Sequence, residues 1–184
     1  MSSTLYVDNL IEKTSGNGVH IPGHVVQVVQ GFKSDVQSGA FGAQWVDVSG
    51  LTASITPLST SSKILVTIEL KVSNENSTIV SARCLRNDLT NIGGGDASGS
   101  RRQSFSQGYF NNAAFGGQAM IGVHHLGLNY LDSPNSTELQ TYKVQVGGDN
   151  TSLTYYVNRT ARDNNTTTTD SRVSSTITLM EIAQ

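Results

Sequence analysis

The run KILVTIELKV, residues 63–72, constrains the fold of this chain most, because apolar residues occupy every second position. The even-numbered residues from Ile64 to Val72 are all apolar, and Thr67, Glu69 and Lys71 stand between them. A period of two with a single apolar face predicts a β-strand buried on one side. Such strands are typical of antiparallel sheets that have one face in the core and the other in water.

Comparable runs recur along the chain at roughly ten-residue spacing, separated by turn residues. TIVSARCLR follows residues 73–77, so we expect it to form a hairpin with the run before it. The turn GGDN, residues 147–150, predicts a second hairpin between ELQTYKVQVGG and TSLTYYVNRT. No amphipathic helical pattern of ten or more residues occurs. The sequence therefore predicts an all-β fold, an antiparallel β-sandwich of the jelly-roll type.

Three further segments predict less regular strands. HVVQVVQ is apolar on both faces, which predicts a strand buried on both sides. AQWVDVSGLTASITP predicts two short strands around Ser49 and Gly50, with Trp45 in the core. The last strand, within RVSSTITLMEIAQ, loses its alternation near Met180, which predicts a β-bulge there.

Length and charge restrict the classes of partner. A chain of 184 residues suits one domain with a proper core. The net charge of −2 argues against nucleic acid as a partner, since phosphate binding needs clustered Lys and Arg. The adjacent pair Arg101 and Arg102 lies in a Ser/Gly-rich loop, which favours a solvated role. No apolar run is long enough to span a bilayer, and no signal-peptide pattern opens the chain, so we expect neither membrane insertion nor export.

The sequence predicts neither catalytic residues nor a metal or other cofactor. Cys84 stands alone, which excludes an intrachain disulfide. His20 and His24 are four residues apart, but the Pro22-Gly23 break between them excludes a helical metal site. No G-x-S-x-G, H-E-x-x-H or Walker-type motif is present.

Two loop segments are candidates for surface recognition. SQGYFNNAAFGG places Tyr109, Phe110 and Phe115 among Gly and Asn, which suits an adaptable binding surface or a subunit interface. Anchoring of the loop onto the sandwich is the alternative. RTARDNNTTTTDSR, residues 159–172, is polar and contains Arg159 and Arg162; it suits sugar or Ca²⁺ binding, or a solvated hairpin tip.

Four segments of the sequence are similar to segments of known proteins. They are the opening STLYVDNLIEKTSGNGVHIPGHVVQVVQ, the stretch WVDVSGLTASITPLSTSSKILVTIEL, the run TYKVQV and the ending STITLMEIA. Together they resemble virion structural and short fibre-like proteins of tailed bacteriophages, especially those of marine and freshwater bacteria. The resemblance covers both ends of the chain and much of its middle.

The resemblance implies a trimeric β-sandwich displayed on a virion that is assembled in the host cytoplasm. Residues 1–23 would be an attachment or intertwining arm, and residues 24–184 the head domain. The arm would reach other virion proteins, of the tail or the capsid, by β-addition or would wind with its two copies. The arm residues expected to make these contacts are Leu5, Tyr6, Val7, Leu10 and Ile11.

The resemblance leaves three functions open. The first is a short tail-fibre-like appendage that binds a glycan or protein of the host surface without catalysis. The second is a capsid decoration, cement or head-fibre protein that stabilises the shell. An envelope polysaccharide hydrolase is the third, and the absence of marked paired carboxylates disfavours it.

Overall fold

The computed structural model describes residues 6–9, 11, 21–41, 45–74, 78–110, 121–149, 152–166 and 168–184, with only the backbone at Phe110. Within these ranges the chain forms β-strands and no helix, which confirms the all-β prediction. The strands are β1 Val25–Lys33, β2 Gln37–Ala40, β3 Val46–Ile55, β4 Lys63–Asn74, β5 Thr78–Arg86, β6 Thr90–Ile92, β7 Ser106–Phe110, β8 His124–Asp132, β9 Gln140–Gly148, β10 Thr154–Val157 and β11 Ser175–Ile182.

The first sheet, sheet A, is built around β4. One edge of β4 pairs with β8 along residues 64–72. The other edge pairs with β11 along residues 63–69 and with β10 along residues 72–74, so β10 and β11 occupy one line in the sheet. β1 pairs with β11 and β2 pairs with β10, so these two strands also share a line. All of these pairings are antiparallel.

The second sheet, sheet B, has the order β3-β9-β5, with β6 and β7 sharing the far edge of β5. Counting each shared line once gives eight strand positions among the described residues. Sheet A then contains positions 1-8-3-6 and sheet B positions 2-7-4-5. Two interleaved Greek keys with this order form the jelly-roll arrangement. The described part of the chain is therefore an antiparallel sandwich of two sheets.

The two predicted hairpins are wrong. β4 lies in sheet A and β5 in sheet B, and β9 lies in sheet B and β10 in sheet A. In each case the chain crosses from one sheet to the other instead of turning back beside itself. Alternation defines the buried face of a strand, but the buried faces of both sheets have the same pattern, so it does not identify the pairing partner.

Residues 46–55 form one strand instead of the predicted two. The pairing of β3 with β9 shifts register between Asp47 and Thr52. Gly50 has a φ of 77°, in the left-handed region that glycine adopts without steric cost. The break in the sequence pattern therefore marks an irregularity within a continuing strand.

The two ends of the chain also differ from the prediction. β1 is not buried on both sides, because Val25 and Val28 are 50% and 56% exposed. β11 pairs regularly through Met180, and the irregularity lies on its partner β1, between Val25 and Gln27.

The core lies between the inward faces of the two sheets. Tyr142 is fully buried, and its hydroxyl donates a 2.7 Å hydrogen bond to Oδ2 of buried Asp132, which also accepts from Arg86 at 2.5 Å. Cys84 is buried as well, and burial raises the pKa of its thiol to about 12. On one side the sheets approach so closely that a Cβ at Gly31 would collide with the carbonyl oxygen of Thr52. The sandwich is therefore nearly closed along the β1–β3 side.

Three strand lines are interrupted by excursions, at residues 34–36, 93–105 and 158–174. Asn158 connects the first and the third. Its Nδ2 donates to the carbonyl oxygens of Lys33 and Asp35 at 2.8 and 3.0 Å, and its Oδ1 accepts from Ser175 Oγ at 2.6 Å. Asn158 is fully buried with a φ of 63°, a conformation that asparagine tolerates better than most residues. Its side chain supplies the hydrogen bonds where the strand lines are broken.

Candidate functional site

A cleft of about 350 Å³ opens on the outer face of sheet B, away from the core. We call it the arginine cleft. Its lining residues come from β5, β7, the end of β9 and the excursion at residues 93–105: Ile79, Ser81, Arg101, Arg102, Gln107, Gly148 and Asp149.

Alternation along β5 and β7 forms the floor of the cleft. Val80 of β5 is fully buried in the core, so its neighbours Ile79 and Ser81 point to the outer face. Register places Gln107 opposite Ser81 and Tyr109 opposite Ile79. Ser81 Oγ donates to Gln107 Oε1 at 3.2 Å. The floor therefore combines an amide and a hydroxyl with an aromatic ring at its rim.

Trp45 contacts two guanidinium groups, one of which, that of Arg102, lines the cleft. The Cζ atoms of Arg83 and Arg102 lie 4.6 and 5.5 Å from its ring centroid, within the range of cation–π contacts. Gly147 lies beneath them: a Cβ there would lie 3.0 Å from Trp45 Cε3 and would collide with Arg102 Nη1. The absence of a side chain at residue 147 allows the ring and the guanidinium to approach the strand.

The two arginines beside Trp45 differ in their partners. Arg83 is half-buried, and its Nε donates to Gln145 Oε1 at 2.7 Å. Partial burial lowers the pKa of Arg83, against an opposing effect of the Asp47 carboxylate. Arg102 is exposed and forms no hydrogen bond or ion pair with any residue in the described ranges. Its guanidinium donors therefore remain open to a ligand.

Asp47 organises the polar network beside Trp45. Its Oδ1 accepts from Gln145 Nε2 at 2.5 Å, and its Oδ2 accepts from Lys143 Nζ at 3.0 Å. Although partial burial raises it, these two hydrogen bonds bring the pKa of Asp47 below its ordinary value. The network holds Gln145 in the orientation that receives Arg83.

Hydrogen bonds to the sheet fix the excursion that carries Arg101 and Arg102. The Phe105 amide donates to the Ala82 carbonyl at 2.9 Å, and Asn91 Nδ2 donates to the Gln103 carbonyl at 3.1 Å. Arg101 Nη1 donates to Ser98 Oγ at 3.0 Å within the excursion. The basic pair is therefore held over the floor of the cleft.

Asp149 provides the negative charge of the cleft. It accepts hydrogen bonds from the Thr78 hydroxyl and from the Ile79 amide at 3.2 Å. Partial burial raises the pKa of Asp149, but these bonds and the charge of Arg102 give a net lowering. Arg101 and Arg102 thus outnumber the one carboxylate that lines the cleft, on a chain whose net charge is −2.

The sequence-predicted recognition aromatics meet this cleft only in part. Tyr109 lies on its rim and is 56% exposed. The side chain of Phe110 and the whole of Phe115 lie outside the described residues. Recognition through Tyr109 therefore stays a prediction, and the structure places it beside the cleft.

Arg159 and Arg162 lie in the excursion at residues 158–174 and do not line the arginine cleft. Asp163 Oδ2 accepts from Arg159 and from Arg172 at 2.6 Å each, and Asp170 Oδ2 accepts from Arg162 at 2.5 Å. The hydrogen bond from Arg162 is the main cause that lowers the pKa of Asp170. A second cleft, of about 250 Å³, opens beside these carboxylates. The two arginines brace the excursion, and their role in recognition stays a prediction.

The outer face of sheet A differs from the cleft. Register places Val28 of β1, Met180 of β11, Leu65 of β4 and Leu131 of β8 side by side across four strands. We call these four residues the apolar row. Val28 and Leu131 are 56% and 51% exposed, and Phe32 on the same face is 60% exposed. The sheet therefore presents a continuous line of apolar side chains to solvent.

The arm residues Tyr6, Val7 and Ile11 are 91%, 54% and 81% exposed, and Leu5 and Leu10 lie outside the described ranges. His20 lies outside them too. In the part of the chain that the structure describes, no three His, Cys, Asp or Glu residues are grouped to hold a metal ion. No helix among the described residues is long and apolar enough to cross a membrane.

No family model matches the chain, and no curated protein matches it. Sequence reasoning missed the arginine cleft, because it assigned Trp45 to the core and a solvated role to Arg101 and Arg102. One signal was present. Arg83 stands at an outward position of the alternating run TIVSARCLR, where a charged residue marks the wetter face of the sheet.

Proposed function

We propose that this chain is a bacteriophage virion structural protein, a short tail-fibre-like subunit that binds the host surface without catalysis. Its head domain would present the outer face of sheet B to the host, and its N-terminal arm would attach it to the particle. The resemblance of the sequence motifs to such proteins supports this proposal, and so does the strand order, since jelly rolls form many viral and lectin domains.

The observation that best supports a binding function is the presence of arginines without an ion-pair partner, among the described residues, at the arginine cleft. Neither Arg101 nor Arg102 forms an ion pair with a described residue, although both border a cleft of about 350 Å³. Exposed guanidinium donors beside an aromatic ring and an amide are common components of recognition surfaces. This combination supports ligand binding rather than a purely structural face.

The proposed homotrimer would bury the outer face of sheet A against a second copy of the chain. The apolar row supports this arrangement, because burying a Val or Leu side chain stabilises by about 1.5–3 kcal/mol. The two faces would then have separate roles, with sheet A inside the assembly and sheet B outside it.

The apolar row also favours a second candidate function, that of a capsid decoration or cement protein. In that case the row would contact neighbouring capsid subunits and the cleft would have no host ligand. Charge-neutralising changes in the cleft would then leave particle binding unaltered.

The test compares binding to cells with binding to shells. Fluorescently labelled chain is mixed with a panel of marine and freshwater bacterial isolates and, separately, with empty phage capsids. We expect saturable adhesion to particular isolates that unlabelled chain competes away, and a trimer mass by light scattering. Adhesion to capsids with none to any isolate would replace host binding with the decoration function.

A further inference from the structure

The arrangement of charges in the arginine cleft restricts the ligand more than the proposed function does. Arg101 and Arg102 both line the cleft, and the Cζ atom of Arg83 lies 4.6 Å from the ring centroid of Trp45. A guanidinium binds carboxylate and phosphate oxygens through parallel N–H donors. Arg102 has its donors unused by any described residue, so an anionic group on the ligand would complete its hydrogen bonds.

The other groups of the cleft do not suit a bare anion. Asp149 lines the same space, and its carboxylate would repel a small phosphate or carboxylate ion. A carboxylate has about four acceptor positions, of which the bonds from Thr78 and Ile79 occupy two, so it can still accept from ligand hydroxyls. Gln107 adds an amide to the floor of the same cleft. The ligand therefore carries hydroxyls as well as a negative charge.

The size and shape of the cleft agree with this chemistry. Its volume of about 350 Å³ lies at the lower end of the usual range for ligand pockets, about 300–1,000 Å³. Tyr109 stands on the rim opposite Ile79 and presents an exposed ring on which the apolar face of a sugar can pack. A short saccharide fills such a space, whereas a single ion does not.

From these observations we infer that the arginine cleft binds an anionic saccharide. Arg102 and Arg101 hold its acidic group. Asp149 accepts hydrogen bonds from its hydroxyls, the Gln107 amide donates to them, and Tyr109 packs against a sugar ring. This inference rests on the proposed binding function and names the chemical class of its ligand.

An array that carries neutral glycans beside carboxylated, phosphorylated and sulfated ones tests the inference with the full chain. We expect the bound set to be acidic, and the three acidic groups distinguish which anion Arg102 prefers. The tightest ligand is then titrated against variants. Arg102→Gln should weaken binding at least about tenfold, because a charge-assisted hydrogen bond is lost. Arg102→Lys keeps the charge but not the planar donors, so its affinity should lie between that of the unaltered chain and that of Arg102→Gln.

Lys71→Gln is the matched control, since Lys71 also carries a positive charge but pairs with Glu69 on sheet A, outside both clefts. It should bind like the unaltered chain. The inference is overturned if only neutral glycans bind, if no glycan binds, or if Arg102→Gln and Lys71→Gln have equal effects. Cell adhesion is measured in parallel with each variant. If the unaltered chain adheres to cells but binds no acidic glycan, only the inference is rejected. If the unaltered chain adheres to no cells, the proposed function is rejected.

Discussion

The outer faces of the two sheets are built from the same alternation but carry different chemistry. On sheet A, the outward positions of four strands align Val28, Met180, Leu65 and Leu131 into the apolar row. On sheet B, the outward positions carry Arg83, Ser81 and Gln145 and lie beside a loop that adds two more arginines. A single sandwich therefore has one outer face with an exposed apolar row and another with charged and polar side chains around a cleft.

The largest effect is expected from charges placed in the apolar row. The double change Val28→Asp and Leu131→Asp should weaken self-association more than about 100-fold, because it would bury carboxylates in an apolar contact. Both side chains are more than half exposed in the single chain, so its fold should persist. Light scattering over a concentration series measures the change. Leu139→Asp, at a residue 59% exposed outside the row, is the control. Equal masses for both variants would remove the row from the interface.

Glycines on the two faces form a matched pair for a smaller effect. Gly147→Ala would move Arg102 and press on Trp45, whereas a Cβ at Gly127 on sheet A would meet His125 Cε1 at 3.1 Å. We expect Gly147→Ala to weaken ligand binding about tenfold, equivalent to the loss of one good contact, and Gly127→Ala to leave it unaltered. Calorimetric titration compares the two variants. If both bind equally well, the position of Arg102 over Gly147 is irrelevant to binding.

Added salt should affect ligand binding on sheet B and self-association through sheet A differently. Attraction between exposed charges is screened as the Debye length falls from about 10 Å at 0.1 M to about 3 Å at 1 M. Binding of an acidic ligand in the arginine cleft should therefore weaken several-fold over this range, while self-association through the apolar row should hold or strengthen. Titration and light scattering in the same buffers test this. A self-association that weakens with salt would identify charged groups as its basis.

Acid should produce the smallest difference. The hydrogen bond from Lys71 is the main cause that lowers the pKa of Glu69 on sheet A, and the pKa of Asp47 on sheet B is lowered as well. Because both are lowered on folding, their stabilisation is present above about pH 4 and is lost as the pH falls through the folded values. Urea unfolding at pH 6 and pH 3 should show that Asp47→Asn and Glu69→Gln each remove less than about 1 kcal/mol of this pH dependence, since both side chains are exposed. We expect the larger loss of pH dependence in Asp47→Asn, because Asp47 has more hydrogen-bond partners. A larger loss in Glu69→Gln would contradict this expectation.

The all-β class and the core of β4 could be predicted from the sequence, because alternation is a local property of a strand. The even-numbered residues from Ile64 to Val72 are all buried, as the period of two predicts. The pairing of strands could not be predicted in the same way. β5 and β9 pair with each other across more than fifty residues of chain, and nothing local to either strand specifies that choice.

The candidate site was predictable to a still smaller degree. A large aromatic residue such as Trp45 is expected in the core. Its position on the outer face depends on Gly147, about one hundred residues away in the chain. Arg101 and Arg102 reach the cleft on a loop anchored by Phe105 to β5. Each of these contacts joins segments that are distant in sequence, so composition and spacing alone did not reveal them.

The line of strands that stops at Asn158 and resumes at Ser175 has an evolutionary consequence. Because β10 and β11 pair with β4 as though they were one strand, the pairing of the sheet does not involve the described residues among 162–169, whereas the Arg159 carbonyl accepts from Ser73 and Thr160 is buried. We therefore expect a segment of different length or sequence to be tolerated at residues 162–169 while Asn158 keeps its bonds to Lys33, Asp35 and Ser175. The molecule thus contains a natural insertion point, where new surface chemistry can be acquired by a single replacement without redesign of the scaffold.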